Sequence, residues 1–140
     1  MPANPVIIEV MPAVAWSVPV RALEAPKNLE RLTSVLPLVE RLESAVGTRP
    51  LAILLGVGPS TISKWKRRRH AVSAEYARRV IDLHDVLVRA LQVMQPVVVM
   101  DWLVGHEPFL DDARPIDVLV SRGAAPLIEA LRGIAATAYA

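Results

Sequence analysis

The chain has 140 residues, 53% of them hydrophobic and 21% charged, with no cysteine and a formal net charge of +2. At this length a chain buries roughly two-thirds of its unfolded surface, so it needs no covalent or metal staple, and the lack of cysteine excludes disulfides and thiolate-bound metals. Only three Trp, two Tyr and one Phe are present; the apolar content rests on Ala, Val and Leu, which suits closely packed helices, and an all-α fold is expected.

Residues 1 to 27 hold five prolines, Pro2, Pro5, Pro12, Pro19 and Pro26, and no helical period. They read as an extended arm with a short strand at Val6 to Val10, and its apolar content predicts that it packs across a dimer or partner surface. The run from Val6 to Val20 contains Glu9, Pro12 and Pro19 with no basic residue before it. That argues against both a signal peptide and a spanning helix, so no membrane role and a cytoplasmic location are expected.

From Leu29 apolar residues recur at Leu32, Val35, Val39, Leu42 and Val46. This is a helical spacing broken at Pro37, where a new helix is expected to start. Gly47 ends it, Thr48 is expected to cap the next, and Arg49 to Leu55 make two turns closed by Gly56. A third helix begins at Pro59. Ser73 caps a fourth, whose stripe of Val80, Leu83, Leu87, Leu91 and Met94 reaches Pro96 and offers, in part, a seam for self-association. Beyond Pro96 a short helix runs to Val104, a turn-rich loop spans His106 to Arg114, and helices follow at Pro115 to Val120 and after Gly123. The segments are therefore read as an arm (1–27), a helix-turn-helix unit with its long fourth helix (28–95), and a small helical domain (96–140).

Charge is uneven along this plan. Residues 1–46 carry four basic and five acidic side chains, residues 47–80 eight and one, and residues 81–140 four and eight. Half of the Lys and Arg thus lies in one 34-residue window, which points either to a solvated basic face or to a nucleic-acid surface. Within it, Ala52, Gly56, Ile62 and Trp65 have helix-turn-helix spacing: a small residue where two helices cross, a glycine able to take the positive φ of the turn, and two core anchors. At 100° per residue Ile62 and Trp65 turn Ser60, Ser63, Lys64 and Arg67 to the opposite side. Ser60 and Lys64 are then placed to reach base edges of double-stranded DNA, while Arg49, Thr61, Arg67 and Arg68 suit phosphates.

The motifs of the second half are Trp102-Leu103, Pro108, Leu110 and Arg114-Pro115-Ile116-Asp117-Val118-Leu119. Read from the residues alone, Pro115 starts a helix, Asp117 complements its macrodipole, Trp102 and Leu119 are core anchors, and Pro108 stiffens the loop. Taken with the helix-turn-helix, the sequence from about Leu36 onward resembles the Xre/MbcA/ParS family of bacterial antitoxins. The loop departs from the family pattern, with Asp111-Asp112-Ala113 where glycine is usual. The resemblance implies an Xre-like helix-turn-helix bundle followed by a toxin-binding domain, an operator DNA site, self-association, and a RES-domain, NAD-degrading toxin as partner. It further implies that the segment Ala130 to Ala140 covers the toxin's active site, with Arg132, Ile134, Ala136, Tyr139 and Ala140 in contact. Composition alone reads the same segment as a fraying terminal helix.

No catalytic motif is evident. His70, His84 and His106 lack the spacing of paired metal ligands, His84 and Asp85 are helix neighbours that point apart, and there is neither a P-loop nor a nucleophile elbow. The group His106, Glu107, Asp111 and Asp112 reads as a solvated turn in preference to a cation site. A non-enzyme without cofactors is expected. The alternative to an antitoxin is a free-standing transcription regulator whose second half dimerises or senses a ligand; a nonspecific nucleoid-type binder is a third reading.

Overall fold

The computed structural model describes Val20, Leu23 and residues 35–138. The expected strand at Val6 to Val10, most of the arm, Tyr139 and Ala140 lie outside the described residues. Among the described residues the fold is all-helical: α1 (Leu36–Val46), α2 (Thr48–Leu55), α3 (Pro59–Lys66), α4 (Ala74–Val93), α5 (Pro96–Val104), a 3-10 turn (Pro108–Leu110), α6 (Pro115–Arg122) and α7 (Ala125–Ala138). None of these helices is long and apolar enough to cross a membrane.

Proline opens four of the helices before α7, in each case in the first turn, where its missing N–H costs no hydrogen bond. Gly56 ends α2 in the left-handed region, φ 75° and ψ 33°. The Val57 N–H then reaches Ala52 O (2.9 Å) and the Gly56 N–H reaches Ile53 O (3.1 Å), a Schellman closure that uses otherwise unpaired carbonyls. Ser73 caps α4, its hydroxyl accepting from the Tyr76 N–H.

Thr48 does not cap α2. Gly47, at φ 93° and ψ 159°, occupies the N-cap position, and its carbonyl accepts from the Leu51 N–H at 3.1 Å. Thr48 is thereby drawn into the first helical turn, and its hydroxyl donates instead to Glu43 on α1. The glycine's freedom at positive φ lets two helices meet at a single residue.

α4 is the central helix and packs on α1, α2, α5, α6 and α7. Its buried face, Val80, Leu83, His84, Val86, Leu87 and Ala90, is broader than the stripe read from the sequence, because neighbours cover it from several directions. Leu91 and Met94 are half-buried against the same cluster. One buried cluster runs from Leu38 in α1 to Leu131 in α7 and crosses the boundary drawn at residue 95.

Val20, 2% exposed, donates its N–H to Pro96 O at 3.2 Å. At this point the arm packs on the start of α5.

Candidate nucleic-acid interface

The candidate interface is built on α2, α3 and the turn that leaves α3. Ile62 and Trp65 are buried, at 0% and 3% exposure, and fix which side of α3 faces the core. Trp65 meets the Tyr76 ring of α4 at a centroid distance of 5.9 Å, and the Arg79 guanidinium lies 5.0 Å over the other partner of that pair, Tyr76. Arg79 also donates to Leu55 O at 3.2 Å, satisfying a carbonyl at the C-terminus of α2, and pairs with Glu75 at 2.9 Å. An arginine of the basic window is therefore committed to holding α2 on α4.

The opposite side of α3 carries the residues expected there. Ser60, Lys64 and Arg67 are exposed, as are Arg68, Arg69 and, at the start of α2, Arg49; Thr61 and Ser63 are intermediate at the flanks. The Ser63 hydroxyl has a long contact to Pro59 O, 3.5 Å, within its own helix. Lys66, which the basic run alone would group with its neighbours, turns the other way and pairs with Glu43 of α1 at 2.6 Å.

The turn after α3 repeats the Schellman pattern of α2 with an arginine in place of glycine. Arg68 has φ 59°, the Arg68 N–H reaches Trp65 O (3.0 Å) and the Arg69 N–H reaches Lys64 O (2.9 Å). A long side chain in this region costs about 1–2 kcal/mol relative to an ordinary helical residue.

The second predicted surface is the end of α7. Ala130 to Ala138 is the continuation of α7, with Ala130 and Leu131 buried and Ile134 half-buried against the core. Arg132 pairs with Glu129 on the same helix. Gly133 lies beneath the Phe109 ring, so close that a Cβ there would stand 2.6 Å from Cε1. Ile134 is partly buried, whereas Ala136, Thr137 and Ala138 are exposed. The apolar register of α7 reaches one turn further than its alanine-rich composition suggests.

The loop before α6 is organised by a residue that sequence reasoning read as solvated. Glu107 is only 5% exposed. Its Oε1 accepts from the Trp102 indole N–H (2.9 Å) and its Oε2 from the Phe109 N–H (2.7 Å), while its carbonyl accepts from the Leu110 and Asp112 N–H groups. Buried carboxylates need such donors, and here they tie α5 to the 3-10 turn. Asp111 and Asp112 sit at φ 54° and 67°, the region where glycine is at ease and which Asp tolerates better than bulkier residues. The side chains of this loop form no cluster suited to a metal; among the described residues there is no such group of three His, Asp or Glu.

His84 is the other buried polar residue among the described residues, 3% exposed. Its Nε2 accepts from Arg41 Nε at 3.2 Å, joining α4 to α1. Burial, reinforced by the Arg41 charge and opposed by Asp85, pushes the imidazole down to about 4. The neutral ring is the form that accepts this hydrogen bond. Compared with known proteins, the chain matches no family model, no curated protein and no solved structure.

Proposed function

We propose that this chain is an antitoxin that binds operator DNA through α2 and α3, regulates its own operon, and neutralises a RES-domain toxin with its C-terminal half in the cytoplasm. The observation that carries the DNA-binding reading is the division of α3: Ile62 and Trp65 buried, with Ser60, Lys64 and Arg67 exposed beside Arg49 and Arg68. A short helix supported in this way, with a tight glycine turn before it, suits the major groove. Ser60 and Lys64 would read base edges, and the arginines would meet phosphates. In a symmetric dimer the two recognition helices would lie about 34 Å apart and call for a near-palindromic site.

Arg67→Ala and Arg68→Gly are each expected to reduce the log-log salt slope of duplex binding by about one unit, since one neutralised phosphate contributes roughly −0.9. Arg68→Gly should at the same time raise stability by about 1 kcal/mol, because glycine relieves the left-handed backbone. Fluorescence anisotropy over a salt series, with urea unfolding of the same samples, checks both effects. An Arg68→Gly variant with an unchanged slope would remove Arg68 from the interface.

The toxin-binding part of the reading rests on the resemblance carried by Trp102-Leu103 and Arg114-Pro115-Ile116-Asp117-Val118-Leu119, and on the exposed residues that end α7. Deleting everything after Glu129 would remove Ala130 and Leu131 from the core. The informative truncation ends at Ala135 and spares them. On co-expression with the adjacent open reading frame, this variant should still co-purify with the toxin yet fail to suppress NAD loss, which the full chain suppresses. If the full chain retains no partner and holds back no NAD loss, the toxin part of the proposal is wrong and the protein is a DNA-binding regulator.

A further inference from the structure

Glu43 lies on α1, outside the helix-turn-helix proper, yet both of its carboxylate oxygens engage that motif. Oε1 accepts from Lys66 Nζ at 2.6 Å, at the last residue of α3, and Oε2 accepts from Thr48 Oγ1 at 2.7 Å, at the first residue of α2. The Glu43 carbonyl also takes the Gly47 N–H at 2.8 Å, which anchors the sharp turn between α1 and α2. A single side chain therefore joins the start of α2 to the end of α3. The Glu43 and Lys66 side chains keep 19% and 33% of their exposure, so the pair is shielded but not sealed.

We propose that Glu43 is a positioning residue for DNA recognition: it holds the end of α3 against α1 and withholds Lys66 from the phosphate backbone, so that Arg49, Ser60, Lys64, Arg67 and the following arginines face DNA without it. This inference rests on the DNA-binding reading. On the helical wheel Lys66 lies about 110° from the centre of the exposed face, a displacement its four-carbon stem can span unless the ammonium is held. Neighbouring Arg67 belongs to that face, so a released Lys66 would stand within one residue of a phosphate-contacting side chain. Burial pushes the Glu43 carboxyl up, but the hydrogen bonds from Lys66 and Thr48 and the Lys66 charge outweigh it and hold the group below the usual carboxylate range. It therefore stays ionised at neutral pH. The arrangement limits nonspecific electrostatic binding, which rises with every phosphate neutralised, while leaving base-edge contacts untouched.

The test uses the full chain and a short mixed-sequence DNA duplex, with the salt dependence of binding measured for wild type, Lys66→Ala, Glu43→Ala, Glu43→Gln and the Glu43→Ala/Lys66→Ala double variant. Lys66→Ala should leave the slope unchanged. Glu43→Ala and Glu43→Gln should each steepen it by about one unit through the freed lysine, and the double variant should return to the wild-type slope. Glu43→Gln keeps an acceptor for Thr48, and far-ultraviolet circular dichroism shows whether each variant retains its helices, so a folded form of the released state is available. A Lys66→Ala variant that flattens the slope, or a folded Glu43→Gln variant that leaves it unchanged, overturns the inference while the DNA-binding reading stands. A wild-type chain with no salt-dependent duplex binding overturns both.

Discussion

Trp65→Ala is expected to destabilise the protein by about 3–5 kcal/mol, the range for removing a buried large aromatic side chain. The indole is 3% exposed and meets Tyr76 across the α3–α4 contact, so its loss leaves a cavity and removes an aromatic contact. Tyr76 in turn supports Arg79, which holds Leu55 O at the end of α2. The consequence extends from one side chain to the placement of both helices. Against a typical total stability of about 5–15 kcal/mol, this is a substantial fraction of the whole. Urea unfolding followed by circular dichroism measures the loss, and duplex binding should fall with the folded fraction. Trp65→Phe should retain much of both. A loss below about 1 kcal/mol in Trp65→Ala would show that α3 is not held through this residue.

The second large effect is acid destabilisation through His84. The imidazole is held at about 4 in the folded protein, below its ordinary value of 6.5. For a base whose folded pKa is depressed, folding favours the neutral form. The stabilisation is complete above the unfolded pKa and is lost as pH falls through the window from about 6.5 to 4. The full loss is on the order of 3 kcal/mol, because each pKa unit corresponds to about 1.4 kcal/mol. Protonation also ends the hydrogen bond from Arg41 and places two cations together between α1 and α4. His84→Gln, which offers Arg41 an uncharged acceptor, should flatten this part of the profile. Asp82 works in the opposite direction: burial is the largest influence on it, its carboxyl is raised, and it favours folding as pH falls. Glu43, held low, loses its contribution as pH falls from its ordinary value of 4.5 through its lower folded value. Urea midpoints across the window for wild type and His84→Gln decide the matter, and parallel curves for the two would exclude His84 as the source.

The helices and their ends were legible because their signals act within a turn or two. Proline at the first helical position, glycine at φ 75° after Leu55, and the serine cap of α4 each work through local backbone geometry. The division of α3 also followed from sequence, because Ile62 and Trp65 set a helical phase and phase alone assigns Ser60, Lys64 and Arg67 to the other side. Thr48 departs from its local rule because its hydroxyl is taken by a carboxylate on the preceding helix, while Gly47, expected only to end that helix, fills the cap position of the next.

By itself the sequence determined an all-α fold, the order of its helices, the basic window and the outward face of α3. Only the tertiary structure decided which polar side chains are committed to the fold. Lys66 pairs with Glu43 across 23 residues and Arg41 with His84 across 43; the buried Glu107 receives the Trp102 indole, and Gly133 receives the Phe109 ring. Charge and hydropathy patterns place a residue on a face of its own helix. The partner on another helix is set by how the helices pack, because a salt bridge or a buried hydrogen bond needs its two groups within a few ångströms, a condition that no local period encodes.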